Sequence, residues 1–83
     1  MNIEISKHVR EKLRILRFHG VNIDEERILE TVLHPEKVVG AWEGRWIAQA
    51  PFDEGHILRV VYIKEQQDKI RVITVYPTRR DRY

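Results

Sequence analysis

Two runs near the C-terminus decide the fold: His56-Ile57-Leu58-Arg59-Val60-Val61-Tyr62-Ile63-Lys64 and Lys69-Ile70-Arg71-Val72-Ile73-Thr74-Val75-Tyr76-Pro77. Both are rich in Val, Ile and Tyr, which suit a pleated surface, and the polar Gln66-Gln67-Asp68 between them reads as a turn. Over much of their length both are apolar on two faces, which predicts central strands with helices covering one side of the sheet. Working backwards, Asp53-Glu54-Gly55 is another turn. Residues 37–42, the turn Glu43-Gly44 and residues 45–51 then read as a hairpin with Trp46, Ala48 and Ala50 on one face. Both Trp42 and Trp46, flanking that turn, are expected in the core.

Upstream of Glu36 the period becomes helical. Ser6 is an N-cap residue, Val9, Leu13 and Leu16 follow on one stripe, and Gly20 stops the helix, so residues 6 to about 19 are expected to be helical. Asp24 caps a second helix, with Ile23 and Ile28 spaced as a hydrophobic staple and Asn22 with Glu25 as an alternative capping box. Ile28, Leu29, Val32 and Leu33 form its buried stripe, and His34-Pro35 ends it. Asn2 to Ile5 is short and alternating, either an edge strand or a lead-in. The expected architecture is one α+β domain over residues 1–83: a helical hairpin packed on a four-stranded antiparallel meander, with residues 78–83 as a basic tail.

At 83 residues there is room for one small domain, with stability of roughly 4 to 12 kcal/mol, so most apolar residues must serve packing. The chain has no Cys, which removes disulfides, thiolate metal sites and thiol nucleophiles. The four His are scattered, so neither a metal site nor any cofactor is expected. No stretch approaches the ~20 apolar residues of a membrane span and the start lacks a leader pattern, so the reading is a soluble, cytoplasmic protein.

The net charge of +2 hides a division along the chain. Lys7, Arg10, Lys12, Arg14 and Arg17 stand against Glu11 alone; Asp24, Glu25, Glu26, Glu30 and Glu36 then stand against Arg27; basic residues again prevail after His56. Lys7, Arg10, Arg14 and Arg17 share one stripe of the first helix, where like charges repel by a few tenths of a kcal/mol per pair. Part of that charge is expected to pair with the acidic second helix. The remainder is either a solvated face or the footprint of a polyanion.

Several residues could carry chemistry. Arg59, in the middle of an apolar strand, needs a partner or a solvated concave face and could contact phosphate. Thr74 and Tyr76, two residues apart on the next strand, share a face. His8, off the apolar stripe of the first helix, could move a proton near neutral pH. Arg79, Arg80, Arg82 and Tyr83 could hold phosphates and stack a base, or form a frayed basic tail. His19 and His34 are read as helix-end residues, and His56 reaches a site only if its end of the sheet lines one.

Two helices followed by an antiparallel sheet, with basic and hydroxylic residues in the last strands, resemble the RelE/barnase-like superfamily of metal-independent nucleases. Ser6-Lys7-His8, Arg17-Phe18-His19-Gly20-Val21, Leu33-His34-Pro35-Glu36, Leu58-Arg59-Val60-Val61 and Ile73-Thr74-Val75-Tyr76-Pro77-Thr78 are similar to segments of small toxin-like members. The resemblance spans essentially the whole chain; the third, C-terminal helix of better-known RelE-type toxins is missing.

The resemblance implies RNA cleavage by attack of the ribose 2′-hydroxyl on its own phosphate. His8 would be the general base or acid and Arg59 would neutralise the phosphate, while Thr74 and Tyr76 orient or protonate it. Lys7, Arg10, Arg14, Arg79, Arg80, Arg82 and Tyr83 would bind flanking RNA. The partners implied are RNA, including ribosome-bound mRNA, and an acidic antitoxin, with the chain a monomer or homodimer away from membranes. The alternative is a catalytically silent RNA-binding or protein-interaction module on the same fold.

Overall fold

The computed structural model describes residues 2–80. The chain forms β1 (Asn2–Ile5), α1 (Lys7–Phe18), α2 (Glu25–Leu33), β2 (Lys37–Gly40), a single 3-10 turn at Trp42–Gly44, β3 (Arg45–Asp53), β4 (His56–Glu65) and β5 (Lys69–Arg79). Both helices start where the sequence places their caps. The Ser6 hydroxyl accepts from Val9 N at 3.2 Å, and the Asp24 carboxylate accepts from Arg27 N at 2.8 Å, each satisfying an amide that the first helical turn leaves open. At the end of α1, Gly20 takes φ +84°, and Gly20 N and Val21 N donate to the Arg17 and Leu16 carbonyls at 3.0 and 2.9 Å. These two bonds make a Schellman motif, with glycine at the left-handed position.

The five strands lie in the order β1-β5-β4-β3-β2. β2 to β5 form the expected antiparallel meander, but the sheet is five-stranded and mixed, because β1 pairs in parallel with β5 from Asn2↔Lys69 to Ile5↔Val72. The four-stranded antiparallel expectation is corrected accordingly. Two physical causes hold β1 there: Ile5 buries its side chain in the core, and Glu4 on the opposite face meets Lys69 Nζ at 2.9 Å and Arg71 Nε at 3.6 Å. The Lys69 ammonium holds the Glu4 carboxyl below its ordinary value, and Glu4 in turn raises Lys69. A further correction concerns the C-terminal end, where β5 runs to Arg79, so Thr78 and Arg79 are strand residues rather than tail. Arg82 and Tyr83 lie outside the described residues.

Both helices cover one face of the sheet. Val9 and Leu13 from α1 and Ile28 and Val32 from α2 join Ala48, Leu58, Val60, Tyr62, Ile70, Val72 and Val75 in one core, which Ile23 also enters from the interhelical connection. Full burial of each large aliphatic side chain is worth ~1.5–3 kcal/mol. Arg10 and Glu25 join the basic and acidic helices at 3.3 Å, the pairing their charges call for.

One irregularity sets what the other face displays. Val61 pairs with Thr74 but Tyr62 pairs with Val72, so Ile73 is an extra residue, a β-bulge. Without it, strict alternation from the buried Val72 would turn Thr74 and Tyr76 into the core. The bulge shifts the phase, so that Val75 is buried and Thr74 and Tyr76 stand on the face away from the helices beside Arg59 and Val61.

Candidate functional site on the open face of the sheet

The face opposite the helices carries a cleft of about 710 Å³, lined by β2, the Trp42–Gly44 turn, β3, β4 and β5. Its floor is apolar, from Val39, Ile47, Val61 and Ile73, and its polar groups are Arg45, Arg59, Thr74 and Tyr76. Among the described residues no carboxylate lines it, although Glu43, on the turn at its rim, pairs with Arg45 at 2.8 Å. Arg59 and Tyr76 are register partners on adjacent strands, and Arg59 Nη1 donates to the Tyr76 hydroxyl at 3.1 Å. The strand pairing that aligns them is fixed by burial of Leu58 and Val60 on the other face, so core packing positions the guanidinium.

A third element completes the group. Among the described residues, the outer edge of β5 has no strand partner past Val72, and α1 packs against β5. From α1, Lys12 Nζ donates to Thr74 Oγ1 at 3.1 Å and stands 5.8 Å from the centroid of the Tyr76 ring, while Arg59 Cζ stands 5.7 Å from the same centroid. Two cations thus bracket one phenol, each at cation–π distance. Buried beside them, Gln49 is the register partner of Arg59 on β3, and its Oε1 finds no hydrogen-bond partner among the described residues. A polar oxygen left so inside a protein is costly unless something satisfies it.

Chemically, this arrangement suits an anion with a neighbouring transferable proton. Guanidinium and ammonium groups supply charge and donors, the Tyr76 hydroxyl supplies a proton, and the apolar floor lowers the local dielectric so that each charge counts for more. Among the described residues no three His, Asp or Glu side chains are grouped to hold a metal ion.

Of the residues singled out from the sequence, Arg59, Thr74 and Tyr76 meet in this cleft. His8 is exposed on α1, one turn before Lys12 on the same helical surface, and no polar contact joins it to Arg59, Thr74 or Tyr76. Lys7 and Arg14 are exposed on α1, and Arg10 is paired with Glu25. Arg79 and Arg80 line a separate hollow with Gly55 and His56, where Arg80 donates through its backbone N to the Gly55 carbonyl at 3.0 Å and through Nε to the Asp53 carbonyl at 3.3 Å. There His56 Nδ1 lies 2.8 Å from Asp53 Oδ1, and the imidazole holds the Asp53 carboxyl below its ordinary value. The cations at Arg79 and Arg80 thus stand in a different hollow from Arg59. Among the described residues, Lys12 is the cation of the first segment that reaches the last strands through a hydrogen bond.

Sequence reasoning missed three residues of this region. Lys12 was one more cation of α1, with no signal of its partner 62 residues away. Arg45 flanks the turn and pairs with Glu43 at 2.8 Å. Trp42, expected in the core, is 71 % exposed and lines the cleft, whereas Trp46 packs against the core with Lys64 Nζ 4.7 Å from its ring.

Comparison of the chain with family models, curated proteins and solved structures finds no match. The chain is thus defined by its own architecture, an α+β domain of two helices on a five-stranded mixed sheet with a cationic cleft on the open face. Among the described residues no helix is long and apolar enough to cross a membrane.

Proposed function

We propose that the chain is a small endoribonuclease of toxin type that cleaves RNA without a metal, by attack of the 2′-hydroxyl on the adjacent phosphate. The observation carrying this reading is the meeting of Arg59, Thr74 and Tyr76 in one cleft, with Lys12 hydrogen-bonded to Thr74 from α1. In the reaction the 2′-oxygen bonds to phosphorus and the P–O5′ bond breaks. The 2′-hydroxyl proton passes to water, and a proton from Tyr76 goes to the departing 5′-oxygen. Arg59 binds the non-bridging oxygens as charge builds on the pentavalent phosphorus, and Lys12, steadied by Thr74, adds a second positive charge. Donors of this kind, already in place before the reaction, are each worth about 10²- to 10³-fold in rate.

His8, one turn from Lys12, is the residue to examine as an additional proton carrier, with Lys7, Arg14, Arg79 and Arg80 as outlying phosphate contacts. An acidic antitoxin segment would cover the same cationic cleft. The test is incubation of purified protein with mixed RNA and a chelator, with analysis of product ends. Cleavage that leaves 2′,3′-cyclic phosphates supports the reading. Salt-dependent RNA binding without cleavage would replace it with a silent RNA-binding module.

A further inference from the structure

The Trp42–Gly44 turn holds a large aromatic side chain out in solvent. Trp42 is 71 % exposed; its carbonyl accepts from Arg45 N, but its indole makes no ring contact or hydrogen bond among the described residues. Leaving an indole in water forfeits burial that a small domain can use. The turn beneath it is also strained: Glu43, which has a Cβ, takes φ 57°, and Gly44 follows at φ 73°. The Glu43–Arg45 ion pair at 2.8 Å and the bond from Ala41 N to the Arg45 carbonyl at 2.8 Å close this turn. An exposed aromatic on a strained, fastened turn is the kind of feature that a binding site maintains.

Its position gives the ligand chemistry. Trp42 lines the same cleft as Arg59, Thr74 and Tyr76, with an apolar floor and a second guanidinium, Arg45, which is paired with Glu43. The cleft, about 710 Å³, admits a nucleotide. A flat apolar wall beside an anion site is complementary to a base joined to its phosphate. Bases inside a duplex are already stacked on their neighbours, so this wall is available only to an unpaired base.

We propose that Trp42 is the stacking wall for an unpaired nucleobase, which makes single-stranded RNA the substrate class of the cleft. This rests on the reading of Arg59 and Tyr76 as the phosphate site. The test uses the full chain and a labelled, unstructured 2′-O-methyl hexaribonucleotide, which cannot undergo 2′-hydroxyl attack, beside the same strand in a duplex. Trp42→Ala is expected to weaken single-strand binding about 10- to 100-fold and Trp42→Phe to restore most of it. The duplex should bind more weakly and be indifferent to both variants. Addition of the hexamer should quench tryptophan fluorescence in the wild type and not in Trp42→Phe.

Single-strand binding by Trp42→Ala as tight as wild type overturns the stacking role and leaves the phosphate site standing, provided that Arg59→Ala loses binding. Equal affinity of the wild type for strand and duplex overturns the substrate class. Failure of the wild-type chain to bind either RNA overturns this inference and the ribonuclease reading together. Concentration-dependent dimerisation abolished by Trp42→Ala, with RNA affinity unchanged, assigns the indole to a contact between copies and overturns the proposal.

Discussion

The two faces of β4 and β5 are made from the same strands, residue by residue in alternation, and they do opposite work. Facing the helices stand Leu58, Val60, Tyr62, Val72 and Val75, all buried in the core. Facing away stand Arg59, Thr74 and Tyr76, hydrogen-bonded to one another or to Lys12 and left half-exposed. The buried set fixes strand register, and register is what puts the Arg59 guanidinium against the Tyr76 hydroxyl. Stability and chemistry are therefore separable by face: a substitution on the helix side should unfold the domain, whereas one on the open side should leave it folded and inactive.

The largest expected effect breaks the helix-facing side. Leu58 is fully buried, so Leu58→Ala should lower unfolding free energy by ~2–5 kcal/mol in a denaturant titration, a large part of what a domain this size possesses. Next, on the open face, Arg59→Ala should reduce RNA cleavage ~10²- to 10³-fold with a small change in the same titration. Tyr76→Phe sharpens the contrast, because the ring between Lys12 and Arg59 stays while the proton donor goes. A loss of at least ~10²-fold is expected in kcat, with RNA affinity retained.

Away from both faces, Asp24→Ala removes the α2 cap and should cost about 1 kcal/mol without touching cleavage.

The smallest effect is a pH dependence at the β1 edge. Glu4, held below its ordinary 4.5, contributes stability above that value and loses it as pH falls through its lowered pKa. Lys69, raised above 10.5 by Glu4, and Tyr62, raised above 10.0 by burial, contribute below those values and lose it as pH rises through their raised ones. Denaturant midpoints should therefore fall below pH 4.5 and above pH 10, and Glu4→Gln should flatten the acid limb.

What could be read from the sequence follows the range of the interactions concerned. The caps at Ser6 and Asp24 and the glycine stop at Gly20 act within a few residues, and all three form as expected. The meander could be read because each hairpin turn is local. By sequence β1 reads as either an edge strand or a lead-in, since four residues carry little signal and their partners begin at Lys69. The bulge at Ile73 changes only the phase of β5, yet it decides which face Thr74 and Tyr76 occupy. Arg59, Thr74 and Tyr76 were visible because polar residues inside apolar strands need a reason. Lys12 was not, because its role depends on where α1 sits against the edge of β5, and Trp42, expected in the core, is exposed because β2 ends at Gly40 and Trp42 falls in the turn.

The central claim is that the open face around Arg59 is the RNA-directed surface of the molecule. The most direct measurement compares chelator-resistant RNA cleavage by the wild type, Arg59→Ala, and an Arg79→Ala/Arg80→Ala double variant, all at temperatures where each is folded. The account expects Arg59→Ala to lose ~10²-fold or more while the double variant loses only affinity that added salt also removes. Wild-type cleavage by Arg59→Ala, with activity abolished in the double variant, would contradict it and move the site to the His56 end of the sheet.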